Sequence, residues 1–343
     1  MSAARSRLDS LWGRGREFLG TEVAIMGGAM SWVSERRLVA AISNAGGFGV
    51  IACGSMTPDL LAAEIEATQR LTDRPFGVNL ITMHPQLDQL IDLCGRLRVG
   101  RIVLAGGLPQ SAAITRLKDG GAKVMCFAPT VAFARKLIRL GADALIIEGT
   151  EAGGHIGPVS TSVLAQEILP AVTEVPVFVA GGIGRGEAVL SYLEMGAAGV
   201  QLGTRFVCAT ESVAHANFKQ AFIRANARDA TPSVQVDPNF PVIPVRALNN
   251  PASRRFVDFQ HQVIDRFKRG VVDQKAAQLE IEHYWAGALR RAVIDGDIEH
   301  GSLMAGQSVG MVTCEQPTAE IISELIDQAV GALTTRERLG AVV

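Results

Sequence analysis

The sequence predicts an α/β fold: a (β/α)8 barrel with a smaller helical lid inserted before the C-terminal segment. Three observations carry that reading. Eight short apolar runs alternate with helical stretches, the runs are continuous rather than alternating, and glycines gather at their carboxyl ends. Continuous apolar runs suit parallel strands covered on both faces. A doubly wound open sheet would share this rhythm. The count of eight, and the lack of a G-x-G-x-x-G turn after the first strand, favour the barrel.

Taken in order, residues 1–20 form an N-terminal extension. MSAARSRLDSLWGRGREF is mildly basic and lacks the apolar stretch of a secretory signal, so a solvated leader is expected. Residues 21–208 form the barrel. Its strands are expected at EVAIM (22–26), GFGVIAC (47–53), FGVNLI (76–81), RIVLAG (101–106), KVMCF (123–127), ALIIEG (144–149), VPVFVAGG (175–182) and GVQLGT (199–204). Between them, 34–47 opens on a serine cap and closes on glycine, and 57–71 has a threonine cap followed by proline. The stretches 130–142 and 186–197 end at Gly-Ala. Residues 209–295 read as the lid: helix over 209–228, a loop rich in Pro and Asn over 230–253, then more helix. Residues 296–343 return to the barrel, with a small-residue turn at 301–310 and an amphipathic helix over 317–333.

Composition excludes several classes of function. Net charge is −1, so no strong field draws nucleic acid or an acidic membrane. Mean hydropathy is +0.23 with 20% charged residues, a globular composition. No window is apolar enough to span a bilayer. Cys53, Cys94, Cys126, Cys208 and Cys314 are scattered and odd in number. They suit buried thiols in a reducing cytoplasm rather than a disulfide framework or a zinc site. No histidine pair has metal-ligand spacing with a carboxylate, so no metal is expected.

Ligands of such folds sit beyond the strand carboxyl ends. Small residues collect there at Gly27 and Gly28, at Gly153 and Gly154, at Gly181 and Gly182, and at Gly203. The last two strands end in AGGIGRGEA and QLGTRF, where amides of Gly182, Gly203 and Thr204 are candidate donors to a phosphate. Asn79 closes an apolar strand and is a candidate for the edge of a flat ring. Met30 and Met304 are candidates for its face, Gln307 for its edge, and Glu148 for hydroxyl groups of the ligand. In EGTEAGGHIG, glycines flank His155. Either a packed turn needs small residues there, or a flat ligand lies against the backbone. On the second reading His155 is the catalytic imidazole, exchanging a proton near neutral pH. His84 and His215 are weaker candidates.

The segments GGAMSWVSERRLVAAISNAGGFGVI, DRPFGVNL, EGTEAGGHIG, VPVFVAGGI, GVQLGTRF, ESVAHANFK and GSLMAGQ together resemble the FMN-dependent nitronate monooxygenases (2-nitropropane dioxygenases) and the related flavin-dependent enoyl-acyl carrier protein reductases. The resemblance covers nearly the whole chain. It implies a TIM barrel with a helical lid and FMN held by the loops above, Ala29, Gln201 and Gly306 included, with the catalytic histidine at His155. It implies first the oxidative denitrification of alkyl nitronates to a carbonyl compound and nitrite. Reduction of an enoyl thioester on a carrier protein, or of a quinone, by NAD(P)H as a transient reductant is the alternative. A barrel that binds FMN or a phosphorylated ligand without turnover is a third reading. The expected partner is a small-molecule substrate, and a homodimer is compatible with it.

Overall fold

The computed structural model describes residues 2–54, 56–238, 240 and 242–340. Each of the eight runs contains a strand. The first six are β1 (Ile25–Gly27), β2 (Val50–Ala52), β3 (Gly77–Ile81), β4 (Arg101–Ala105), β5 (Lys123–Phe127) and β6 (Ala144–Glu148). A two-residue strand, β7 (Gly154–His155), precedes β8 (Val177–Ala180) and β9 (Gly199–Leu202). The eight barrel strands pair in parallel in the order β1-β9-β8-β6-β5-β4-β3-β2. A parallel bridge between Met26 and Phe48 joins the two ends, so the sheet is a closed TIM barrel.

The strands are short because only their middles must be buried on both faces. Val103, Met125, Ile146, Phe178 and Val200 fill the barrel wall and are all essentially inaccessible. Helix boundaries follow their caps. Thr57 accepts from the Leu60 amide ahead of Pro58, and Thr130 accepts from the Phe133 amide. The helix expected to open on Ser34 instead opens one residue later. Glu35 caps Arg36–Asn44, while the Ser34 hydroxyl accepts from Met30 N and donates to Gly28 O. Ser34 thus fastens the loop after β1 rather than the helix.

The solvated leader is overturned. Residues 3–19 form two helices, Ala3–Leu11 and Gly13–Leu19, and Leu8, Trp12 and Leu19 are fully buried. A Cβ on Gly15 would lie 2.0 Å from the Ala198 carbonyl oxygen, so this segment sits hard against the amino end of β9. Phe18 approaches Phe178 inside the barrel and lies beneath Arg101 and Lys123, the first residues of β4 and β5. The segment therefore stops the amino-terminal mouth of the barrel. Its arginines mask an apolar stripe at Leu8, Trp12, Phe18 and Leu19.

The 230–253 stretch, expected as loop, holds β10 (Ala230–Pro232) and β11 (Val245–Leu248). They form a three-stranded antiparallel sheet with β7 in the order β10-β11-β7. Helices Pro251–Lys268 and Gln274–Val293 pack together over a core of Phe256, Val263, Ile281 and Trp285. Within 209–228 the α-helix is Ala216–Arg224, followed by a 3-10 turn over Ala227–Asp229. Helix Thr318–Gly340 closes the chain against helices Gly186–Glu194, Arg36–Asn44 and Ala3–Leu11.

Candidate active site

A cavity of ≈ 290 Å³ opens at the carboxyl ends of the barrel strands. Fifteen of the seventeen residues singled out in the sequence line it. Gly28, Ala29 and Met30 follow β1, and Asn79 lies on β3. Glu148, Gly153, Gly154 and His155 come from the β6 end and β7, and Gly181 and Gly182 from the β8 end. Gln201 lies on β9 with Gly203 and Thr204 after it, and Met304 and Gly306 belong to the C-terminal segment. Gly27 and Gln307 do not line it. The Gly27 Cα faces helix Arg36–Asn44, where an added Cβ would lie 2.4 Å from Ile42 Cδ1. Gln307 spends its backbone N–H on Glu151 O at 2.9 Å, and its neighbour Ser308 reaches the wall instead.

The glycines fall into two kinds. Some are small because protein packs against them. A Cβ on Gly153 would meet Ala305 C and Gly306 N at 2.6 Å, so the EAGGH loop and the C-terminal segment touch backbone to backbone. Gly181 and Gly182 hold φ of +97° and +71°, a left-handed turn that other residues resist. Gly203 is the other kind. Its φ is ordinary, and the nearest atom to an added Cβ is Met30 Sδ at 3.4 Å, a normal contact. A side chain there would intrude on the cavity and nothing else.

Polar groups around the cavity are positioned by hydrogen bonds behind it. Asn79 is 6% exposed, and its Nδ2 donates to Val103 O at 3.2 Å, leaving Oδ1 to the cavity. The Thr204 hydroxyl accepts from Gly306 N at 2.9 Å and keeps its own proton for another acceptor. Glu151, not singled out beforehand, ties the loop down. Its Oε2 accepts from both Thr161 N and Thr161 Oγ1 at 2.9 Å, at the start of helix Thr161–Ile168. Burial pushes Glu148 up to about 7, opposed by the nearby His155. His155 is exposed on β7, where its backbone pairs with Val245.

The other two histidine candidates serve the backbone. His84 Nδ1 accepts from Gln86 N, and His215 Nδ1 accepts from Asn217 N as the cap of its helix. Neither lines the cavity. Apolar wall residues passed over in the sequence include Phe127, Ile183, Phe218 and Leu289. Each looks like any core residue, so only the three-dimensional path of the chain reveals them. Among the described residues, no cluster of three metal-ligating side chains occurs, and no helix is long and apolar enough to cross a membrane.

A parallel barrel with a lid, a glycine-rimmed mouth at β8 and β9, and an acid and an imidazole facing it defines a class of TIM-barrel oxidoreductase. The chain belongs to the nitronate monooxygenase family: the family model described as Nitronate monooxygenase matches residues 14–94 and 86–328. It is 32% identical over 352 residues to the (3aS,4S,5R,7aS)-5-hydroxy-7a-methyl-1-oxo-octahydro-1H-indene-4-carboxyl-CoA dehydrogenase of Mycobacterium tuberculosis (strain ATCC 25618 / H37Rv), covering 94% of this chain and 97% of that protein. It is 28% identical over 366 residues to a probable nitronate monooxygenase of Staphylococcus aureus (strain MSSA476), covering 93% and 98%. The solved structure of FabK from Thermotoga maritima superposes with a TM-score of 0.84 at 35% identity, covering 96% of this chain and 99% of that one.

Proposed function

We propose that this chain is an FMN-dependent oxidoreductase whose substrate is an acyl thioester. It would add or remove a hydride and a proton across a carbon–carbon bond conjugated with the thioester carbonyl, with NAD(P)H as the exchanging reductant. The observation that carries the cofactor reading is Gly203. It is left bare where no protein atom requires it, beside the left-handed Gly181–Gly182 turn at the end of the adjacent strand. That is where a barrel of this kind commonly holds a phosphate. The substrate reading draws on the similarity to a CoA-thioester dehydrogenase over nearly the full chain. This ranks thioesters above the nitronates that the sequence alone put first.

The residues present fit the cofactor. Amides after β8 and β9 and the free Thr204 proton would meet the phosphate, Asn79 Oδ1 and Gln201 the ring edge, and Met30 the ring face. Bound FMN supplies reversible two-electron exchange. His155 stands at the exposed side of the cavity, where it would deliver or take the proton at the substrate carbon. Burial pushes Glu148 up to about 7, so about half of it is protonated at neutral pH, and that form would donate a hydrogen bond to the ligand. Leu289 of the lid and Met304 of the C-terminal segment would shield the cavity from water.

Anaerobic mixing tests the reading. The purified protein should be yellow, bleach with a nicotinamide, and regain its colour with an α,β-unsaturated acyl-CoA. Bleaching by an alkyl nitronate, with no response to thioester, would transfer the assignment to nitronate oxidation, which the Staphylococcus aureus relative's name favours. A colourless protein that takes up no FMN would end both. Gly203→Leu should lower flavin occupancy roughly tenfold or more by occupying the cavity, while the fold tolerates it. Full occupancy in that variant would contradict the phosphate assignment.

A further inference from the structure

The stretch that carries His155 is fastened from behind the cavity by one carboxylate. Glu151 lies between β6 and β7 and does not line the cavity itself. Its Oε2 accepts from the Thr161 amide at 2.9 Å, and the Thr161 hydroxyl lies at the same distance. Thr161 is 1% exposed and opens helix Thr161–Ile168. Its hydroxyl has a single proton to give. Gly181 O lies 3.1 Å from that hydroxyl, which therefore sits between the Glu151 carboxylate and the left-handed turn after β8. The carboxylate is the stronger acceptor of the two. Glu151 also acts through its backbone, where its carbonyl accepts from Gln307 N at 2.9 Å.

Four glycines crowd around this pair. A Cβ on Gly149 would collide with Thr161, and one on Gly181 would come within 2.8 Å of Thr161 Oγ1. A Cβ on Gly182 would lie 2.9 Å from Glu151 Cβ, and one on Gly306 would lie 2.7 Å from Glu151 O. The four belong to three separate stretches: the end of β6, the turn after β8 and the C-terminal segment. Each stretch supplies cavity wall, through Gly153 to His155, through Gly181 and Gly182, and through Gly306. One side-chain pair thus touches every stretch that joins the phosphate end of the cavity to its histidine end.

We propose that Glu151 is a positioning residue that fixes His155 and the Gly181–Gly182 turn relative to one another, acting through Thr161. This inference rests on the flavin reading above, in which that turn meets the phosphate and His155 meets the substrate. A carboxylate oxygen suits the task because it takes two donors at once. Reach matters more than charge. Aspartate keeps the charge but falls one methylene short of Thr161, whereas the amide oxygen of glutamine reaches the same two donors. Losing the pair frees both ends of the site together, so flavin retention and turnover should fail as one.

The test uses the flavin-loaded enzyme with its Glu151→Ala, Glu151→Asp and Glu151→Gln variants. FMN release on dilution is read from the return of flavin fluorescence, and turnover is followed with an α,β-unsaturated acyl-CoA. Hydrogen exchange reports the amides of Gly153 to His155. In the alanine and aspartate variants FMN should leave roughly tenfold faster, the factor expected when a hydrogen bond to a charged group is lost. Exchange at Gly153 to His155 should quicken by a similar factor, with no change at Val103 and Leu104 in mid-barrel. In the same variants kcat should fall more than KM rises. Glutamine should restore all of these to near the parent values. Aspartate adds no bulk, so it carries the test if the alanine variant fails to fold. Parent-like release or exchange in the aspartate variant overturns the proposal, as does a glutamine variant impaired as much as aspartate. A parent protein that takes up no FMN overturns the flavin reading and this proposal with it. A parent that holds FMN without turning over the thioester removes only the substrate assignment, and release and exchange then decide the role of Glu151.

Discussion

His155 is held by a strand rather than by a loop, and that decides what its replacement should do. Its backbone pairs with Val245 on β11, and its side chain reaches the cavity from a wall built by others. His155→Ala should therefore lower turnover by roughly 10²-fold or more while FMN stays bound. A near-normal rate in rapid-mixing assays would take the imidazole out of the chemistry. Glu148 makes a different prediction. The folded protein keeps its proton to about pH 7, whereas an unfolded glutamate loses it near 4.5. The folded state thus binds more protons between these values, and the stabilisation is complete below about 4.5 and lost as pH rises through 7. Denaturant midpoints measured from pH 5 to 8 should fall, and Glu148→Gln should flatten that fall. An unchanged slope would mean that the carboxyl is not held neutral. Fifteen cavity residues, about half of the lining, were legible in the sequence because strand ends announce themselves by glycine and by polar residues closing apolar runs. Gly27 was not separable from its neighbour Gly28 at the end of β1, where one residue decides which way a side chain faces, and Gln307 was not separable from Ser308 because the helical turn Gln307–Met311 has no signature in the small-residue stretch 301–310.

At the scale of elements, the sheet β10-β11-β7 is what brings the lid to the histidine, and it was hidden. Pro232 ends β10, an edge strand where a missing N–H does no harm, but in the sequence it reads as a loop signal. The two-residue β7 is too short for any period to show. Arg246 secures this sheet from within: its Nε donates to Thr150 O at 2.8 Å, and its Nη1 donates to Ala230 O. The side chain is 6% exposed, and burial pulls its guanidinium down from the usual range. Arg246→Met keeps the bulk but leaves both carbonyls without this donor, which should loosen the sheet by about 1–3 kcal/mol. Limited proteolysis within 230–248 should then accelerate, and substrate KM should rise more than kcat falls. Equal cleavage rates in variant and parent would show the tether to be redundant. The N-terminal helices were misread for a related reason: arginines dominate the composition of 1–20, whereas Leu8, Trp12 and Phe18 decide where it packs.

For the whole molecule, the barrel was legible because eight continuous apolar runs with glycine-rich ends leave few ways to bury both faces of each strand. The thinness of its closing seam was not, because nothing in a strand's own sequence says how firmly the last joins the first. All seven neighbouring pairs in the sheet order register three or four residues each, β1 with β9 among them. Between β1 and β2 there is the one bridge at Met26 and Phe48, with backbone bonds from Gly27 N to Phe48 O and from Phe48 N to Ile25 O. Helix Thr318–Gly340 supports this seam from outside. It packs on Arg36–Asn44, which connects the two strands, and Ile322 Cδ1 lies where a Cβ on Gly47 would come within 3.2 Å. A ring opens first where its pairing is thinnest, so local unfolding should begin at this seam. The amides of Gly27 and Phe48 should exchange with solvent at a lower opening free energy than those of Val103 and Leu104 in mid-barrel. Because Gly28, Ala29 and Met30 extend β1 into the proposed flavin site, added FMN should slow the seam amides more than the mid-barrel ones. Uniform protection across the ring, with or without FMN, would show that the helix over the seam fully replaces the missing strand pairing.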